Sequence, residues 1–159
     1  MVNDSPKEVI WGGLRVGDYV KVKRDGFIPA DIIVLKSSNE SGQFFVETKN
    51  LDGETNLKTK TVPKDLIDMN IEKPSRLKPK IEYDAPNEHI YTFNGSMSVS
   101  TLDGGHDKLK VAVSNDNIGL RGMSVKNTEY VIGVVVYTGP ETKIQMNMQD
   151  ANYKLSNLF

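Results

Sequence analysis

Two carboxylates separated by a single residue, Asp52 and Glu54 with Gly53 between them, are the residues of this chain whose types and spacing best suit chemistry. On an ideal strand such a pair would share one face, with Cα atoms roughly 6–7 Å apart. That spacing suits an acid pair for glycoside hydrolysis or two ligands for a hard metal ion. The stretch from Asn50 to Asn56, however, concentrates turn-forming residues, and on a turn the shared face is lost. An aspartate that precedes glycine in a turn tends to bond its own backbone, which makes Asp52 a structural acceptor. Glu54 is then the free acid, suited to orienting or deprotonating a water within hydrogen-bond reach. Gly53 carries no Cβ to keep the backbone away from another surface. From composition alone, an ordinary solvated hairpin is the better reading of the stretch.

Several strands must deliver the chain to this loop. The alternation Val20-Lys21-Val22-Lys23 predicts a half-buried strand, Arg24-Asp25-Gly26 a turn, and Ile32-Ile33-Val34-Leu35 a buried strand. Asn39-Glu40-Ser41-Gly42 predicts a second turn, after which Phe44, Phe45 and Val46 enter the core. Three apolar strands are thus expected to brace the loop.

The uninterrupted run Val46-Glu47-Thr48-Lys49-Asn50-Leu51-Asp52-Gly53-Glu54-Thr55-Asn56-Leu57-Lys58 resembles the signature of the actuator domain of type IV P-type ATPases, the lipid flippases. Cation-pumping P-type ATPases carry Thr-Gly-Glu at the equivalent loop, so Asp52-Gly53-Glu54-Thr55 favours the lipid-transporting branch. Shorter pieces are also similar to that family: Val16-Gly17-Asp18, Ile28-Pro29-Ala30-Asp31, Pro86-Asn87 with Ile90-Tyr91-Thr92-Phe93-Asn94-Gly95, Leu120-Arg121-Gly122, Lys126 to Gly139, and Thr142-Lys143. The resemblance runs from about Trp11 to Asn147 and is weak from Val62 to Asn117.

Many short strands separated by Gly, Asn and Pro turns predict a mainly β sandwich on their own account. The resemblance sharpens this to a distorted jelly roll with little helix. The expected organisation is a flexible lead over residues 1–10, an actuator domain over 11–147, and a polar tail over 148–159 that runs toward a membrane helix. Lys64 to Asn70 should form a turn or two of helix, and Glu72 to Lys80 a solvated connector. A strand is expected at Ile90 to Phe93, a hairpin turn at Leu102 to Gly105, and a strand at Lys108 to Val113. Val131 to Tyr137 should be the most buried strand.

With 159 residues, 38% hydrophobic and 26% charged, the chain suits one globular domain with a modest core. A net charge of −1 leaves no electrostatic footprint for nucleic acid, which is not an expected partner. Cysteine is absent, which removes disulfide and thiolate chemistry and accords with the cytosol. The longest apolar stretch, Val131 to Tyr137, falls far short of the ~20 residues of a spanning helix. His89 and His106 are separated by 16 intervening residues, which makes a zinc site a poor reading. Asn115-Asp116-Asn117-Ile118-Gly119 lacks the oxygen spacing and closing Glu of a calcium loop and reads as a turn. Trp11 and the five Phe residues lie beside apolar neighbours and read as core.

The resemblance implies that this domain serves an ATP-driven phospholipid flippase. The actuator loop would swing in to hydrolyse an aspartyl-phosphate formed in another domain, and rotation of the domain would move the membrane helices. It places Glu54, Gly53, Asp52 and Thr55 at the site. Glu54 would polarise the attacking water, and Gly53 would permit contact with the phosphorylated surface. Two unit charges ~4 Å apart at an effective dielectric of about 20 repel by about 4 kcal/mol. Only Glu54 should therefore face the phosphoryl group, with Mg²⁺ or a partner lysine offsetting its charge. ATP and Mg²⁺ are expected in the full-length protein, on domains outside this chain, since neither the Asp-Lys-Thr-Gly-Thr phosphorylation motif nor a P-loop occurs here. The isolated domain should be inactive and hold no cofactor or metal. Expected partners are the phosphorylation domain and membrane helices of the same polypeptide, an accessory β-subunit, and the lipid through those helices. The domain would face the cytosol in a multi-pass membrane protein. Rival readings are a flippase-like region of a larger bifunctional protein, a free-standing carboxylate hydrolase, and a β-sandwich binding module without catalysis.

Overall fold

A computed structural model of the chain describes residues 13–69, 79–100 and 108–148. Trp11, the expected turn at Leu102 to Gly105, the lead, nearly all of the tail and most of the connector lie outside the described residues.

Alternation of Val and Lys makes β1, Tyr19–Lys23, with Val22 turned inward and Lys21 and Lys23 outward. A turn at Asp25, whose φ is +65°, leads to β2, Asp31–Ser37, which is buried on both faces except at Lys36. Next come β3, Gln43–Glu47, the short helix α1, Lys49–Asp52, and β4, Lys58–Thr61. Pro63 opens α2, Lys64–Asp68, whose Leu66 faces the core, in keeping with the helical turn expected there. The remaining strands are β5, Lys80–Tyr83; β6, Asn94–Ser100; β7, Lys108–Ser114; β8, Ile118–Gly119; β9, Ser124–Lys126; and β10, Tyr130–Tyr137. Residues 143–148 are helical.

The strands form three antiparallel sheets, ordered β1-β10-β2-β8, β4-β3-β9 and β5-β6-β7. Their inward faces share one core built on Ile28, Ile32, Phe44, Met97, Val111, Leu120 and Val135. Each large aliphatic or aromatic side chain fully buried here contributes roughly 1.5–3 kcal/mol. This is the mainly β, jelly-roll sandwich expected, with little helix.

Four local expectations change. Val131 to Tyr137 is not more buried than the rest: it shares the centre of its sheet with β2, whose Ile32, Ile33 and Val34 are fully inaccessible. The loop is not braced by the three strands that precede it, because β1 and β2 belong to a different sheet, and β3, β4 and β9 carry it instead. Asn50 to Asn56 is not a simple turn, since α1 occupies its first part.

Finally, Ile90 to Phe93 is not a strand. The Asp84 carboxylate and backbone pair with Asn94, closing residues 85–93 into a loop, and Asn87 forms an Asx-turn with the His89 N–H (3.0 Å). Phe93 is buried beside Tyr83 and Tyr137, whereas Tyr91 turns outward. The turn expected over Asn115 to Gly119 is confined to a single 3-10 turn, Asn115–Asn117, because Ile118–Gly119 pairs with β2 as β8; a capping box holds that turn, with Ser114 accepting from Asp116 N–H and Asn117 accepting from Ser114 N–H.

Candidate active site

The Asp52-Gly53-Glu54 loop connects β3 to β4, which pair in register with Val46 opposite Lys58 and Phe44 opposite Lys60. At its base, α1 ends in a left-handed cap: Gly53 has φ +75° and its N–H donates to the Lys49 carbonyl at 2.9 Å. An ideal Cβ at Gly53 would meet nothing within 4 Å. Open space at Gly53 leaves room for another surface, but the backbone conformation is itself a reason for glycine, which sequence spacing alone does not reveal.

Asp52 and Glu54 have different settings. Asp52 Oδ1 accepts from the Thr48 hydroxyl and from the Glu54 N–H, both at 2.9 Å, while Oδ2 accepts from the Tyr91 hydroxyl at 3.0 Å. Partial burial pushes the Asp52 carboxyl up, but these three hydrogen bonds and the Lys58 charge outweigh it and hold the group below its ordinary value. Both oxygens are thus committed to holding the loop, and they orient the peptide that carries Glu54. Glu54 itself is exposed and forms an ion pair with Lys58, one helical-type spacing further on. Gly53 and Thr55 are exposed beside it.

The loop is also fastened from beneath. Asn50 Nδ2 donates to the Gly122 carbonyl at 3.3 Å. The turn that contains Gly122 is held in its turn by Asp31, a buried carboxylate that accepts from Arg121 N–H (2.9 Å) and Lys143 N–H (2.7 Å). Burial raises the Asp31 carboxyl to about 6, against the pull of those two N–H groups and of the Lys143 and Arg121 charges. Lys143 is wholly buried, donates from Nζ to Asn87 Oδ1 at 2.8 Å, and lies over the Tyr137 ring. Desolvation lowers its pKa against the charges of Asp31, Asp84 and Glu88.

Beside the loop is an open cavity of about 370 Å³, lined among others by Asp52, Lys58, Lys60, Tyr91 and Asp116. Lys60 is buried and donates to the Asn115 carbonyl at 2.7 Å, and burial depresses its pKa to about 8. Opposed lysines and aspartates leave this wall without a dominant sign of charge. Among the described residues, no cluster of three or more His, Cys, Asp or Glu could hold a metal ion.

A family model for the P-type ATPase actuator domain matches residues 1–152. The chain belongs to that family. It is 42% identical over 149 residues to the phospholipid-transporting ATPase dnf2 of Schizosaccharomyces pombe, covering 89% of this chain and 10% of that protein. It is 41% identical over 138 residues to the phospholipid-transporting ATPase DNF1 of Saccharomyces cerevisiae, covering 86% of this chain and 9% of the relative. Over 149 residues it is 36% identical to the human phospholipid-transporting ATPase VD, covering 93% of this chain and 10% of the relative. The actuator domain therefore spans about a tenth of the length of these relatives. Among its described residues, no helix is long and apolar enough to cross a membrane.

Asp52, Gly53, Glu54 and Thr55, which the sequence groups on one loop, are neighbours in the structure. Thr48, Lys58 and Tyr91 join them without being singled out by the sequence. Thr48 and Lys58 lie within the same signature run, four residues from Asp52 and Glu54 respectively, a spacing that invites side-chain contact in a helical turn. Tyr91, 39 residues away from Asp52, was assigned to a strand, and no local signal connects it to the loop.

Proposed function

We propose that this actuator domain serves a phospholipid-transporting P-type ATPase, hydrolysing the aspartyl-phosphate intermediate and coupling that step to movement of membrane helices. Glu54 orients and polarises the attacking water, Gly53 lets the loop approach the phosphorylated surface, and Thr55 lies at the same edge. Asp52 holds the loop. The observation that carries this division is the contrast between the two acids: Asp52 has both oxygens bound within the domain, and Glu54 extends from the loop toward solvent.

In the free domain the Lys58 ammonium neutralises Glu54. As the loop meets a phosphoryl group, Lys58 can turn toward the phosphate and leave the carboxylate to the water, which reduces the repulsion between two anions. ATP and Mg²⁺ bind to domains outside this chain, and Mg²⁺ offsets further negative charge there. The domain faces the cytosol, works with the phosphorylation domain and membrane helices of its own polypeptide and with an accessory β-subunit, and is inactive alone. Support for the lipid as cargo comes from the phospholipid-transporting relatives.

The test is a chase of radiolabelled phosphoenzyme in the full-length protein. Glu54→Gln keeps the shape and removes the charge, so phosphoenzyme should form from ATP and decay at least ~10²-fold more slowly, as for loss of a general base. Decay at the wild-type rate would remove Glu54 from the mechanism.

A further inference from the structure

The loop of residues 85–93 touches two places that no single sheet connects. At one end, the Tyr91 hydroxyl donates to Asp52 Oδ2 in the Glu54 loop. At the other, Asn87 Oδ1 accepts from the buried Lys143 ammonium at 2.8 Å, and the Glu88 carbonyl accepts from Asn147 Nδ2 at 3.1 Å. Lys143 and Asn147 both belong to the helical segment 143–148, which follows β10 and the turn of residues 139–141.

Three further contacts stiffen the loop between these ends. The Asp84 carboxylate accepts from Asn94 N–H at 3.1 Å, closing its neck, and the Tyr137 hydroxyl donates to the Asp84 carbonyl. Phe93 is clamped in the aromatic cluster with Tyr83 and Tyr137, its ring centroids 6.1 and 6.4 Å from theirs. Tyr91 contrasts with this. At 63% exposed, its ring is not kept in place by burial, and its described polar contact is the bond to Asp52.

We propose that residues 84–93 form a strap that couples the Asp52-Gly53-Glu54 loop to the helical segment 143–148, with Tyr91 as the positioning residue at the loop end and Asn87 as the anchor at the helix end. The inference rests on the proposed function for its purpose, in which the Glu54 loop meets the phosphorylated surface and its movement is coupled to the rest of the polypeptide. Its physical content is a coupling free energy, which must be reciprocal: disturbing either end has to be felt at the other.

Reciprocity makes the strap testable on the 159-residue chain without turnover. The loop end is read from the NMR titration of the Asp52 carboxyl, on which Tyr91, Thr48, Lys58 and the Glu54 peptide act. The helix end is read from amide exchange at Met146, whose N–H donates to the Thr142 carbonyl at 3.0 Å. Tyr91→Phe keeps the ring and removes one donor. It should move the Asp52 midpoint upward and speed Met146 exchange by about threefold to tenfold, the effect of one lost hydrogen bond. Asn87→Ala should speed Met146 exchange and also move the Asp52 midpoint upward, and Asn87→Asp, which keeps the acceptor, should restore both. If Tyr91→Phe leaves Met146 exchange unchanged, or if Asn87→Ala leaves the Asp52 midpoint unchanged, the strap is overturned. Should Asn87→Ala fail to fold, Tyr91→Phe alone decides. In the full-length protein Tyr91→Phe should slow phosphoenzyme decay by a similar factor. Failure of the Glu54 reading would look different: wild-type decay in Glu54→Gln, with the two-ended response of the chain intact.

Discussion

Two aspartates anchor this domain, and they do so in opposite ways. Asp52 lies at the surface, collects hydrogen bonds from Thr48, Tyr91 and the Glu54 peptide, and is held below its ordinary pKa. Asp31 lies in the core, collects two backbone N–H groups, and is raised to about 6 because burial outweighs them. Similar hydrogen bonding thus gives opposite shifts, and the difference is the solvent each carboxylate has lost. The exposed aspartate shapes the loop that carries Glu54. Its buried counterpart fastens the turn at Arg121 and the start of the helical segment 143–148, and so supports that loop from beneath.

The largest expected effect is on the buried side. Asp31→Ala leaves two buried N–H groups without an acceptor and removes the charge that faces Lys143, which should cost about 3–5 kcal/mol in urea unfolding. A loss under about 1 kcal/mol would place Asp31 outside the framework and erase the contrast with Asp52.

The next effect is on pH dependence. Asp31 releases its proton near 3.8 when unfolded and near 6 when folded, so between those values the folded state holds more proton. Its contribution therefore weakens the fold as pH rises from about 4 to about 6, by about 3 kcal/mol at full extent. Asp52, with its folded pKa lowered, acts in the other direction: it supports the fold above its unfolded value and that support is lost as pH falls. Urea midpoints should consequently rise more, or fall less, between pH 4 and 6 in Asp31→Asn than in wild type, and fall less on acidification below about pH 4 in Asp52→Asn. Identical profiles in all three would mean that neither carboxylate is perturbed as described.

A smaller effect separates Asp52 from Glu54 in catalysis. Asp52→Asn keeps an acceptor oxygen for the turn and should slow phosphoenzyme decay by only about tenfold, less than the loss of the general base in Glu54→Gln. A slower decay in Asp52→Asn than in Glu54→Gln would reverse the two roles.

The smallest concerns Gly53. Its φ of +75° means that Gly53→Ala should cost about 1–2 kcal/mol of stability through the left-handed backbone alone. Gly53→Asn tolerates that conformation better and should cost less. If both variants fold and only the full-length turnover falls in Gly53→Asn, close approach is the reason for glycine; if turnover follows stability in both, the backbone conformation is.

Local patterns made much of this legible. Alternation of Val and Lys marked β1, the apolar runs marked β2 and β10, and Asp before Gly marked Asp52 as a loop-holding acceptor, because each depends on neighbours in the chain. The signature run placed Glu54 on the loop through its resemblance. Ile90 to Phe93 has strand-like residues but forms no strand, since the bonds that bend the segment come from Asn94 and Tyr137.

The sequence by itself determined the sandwich class, the acidic loop and which residue types it offers, all properties of short spacing and composition. Only the tertiary structure decided which acid is bound inward, that Tyr91 reaches Asp52, and that one chain of hydrogen bonds joins Arg121, Asp31, Lys143 and Asn87. Those contacts join residues 39 to 112 positions apart, and the pKa of each carboxylate follows from the balance they set: burial prevails at Asp31, whereas hydrogen bonds and the Lys58 charge prevail at Asp52.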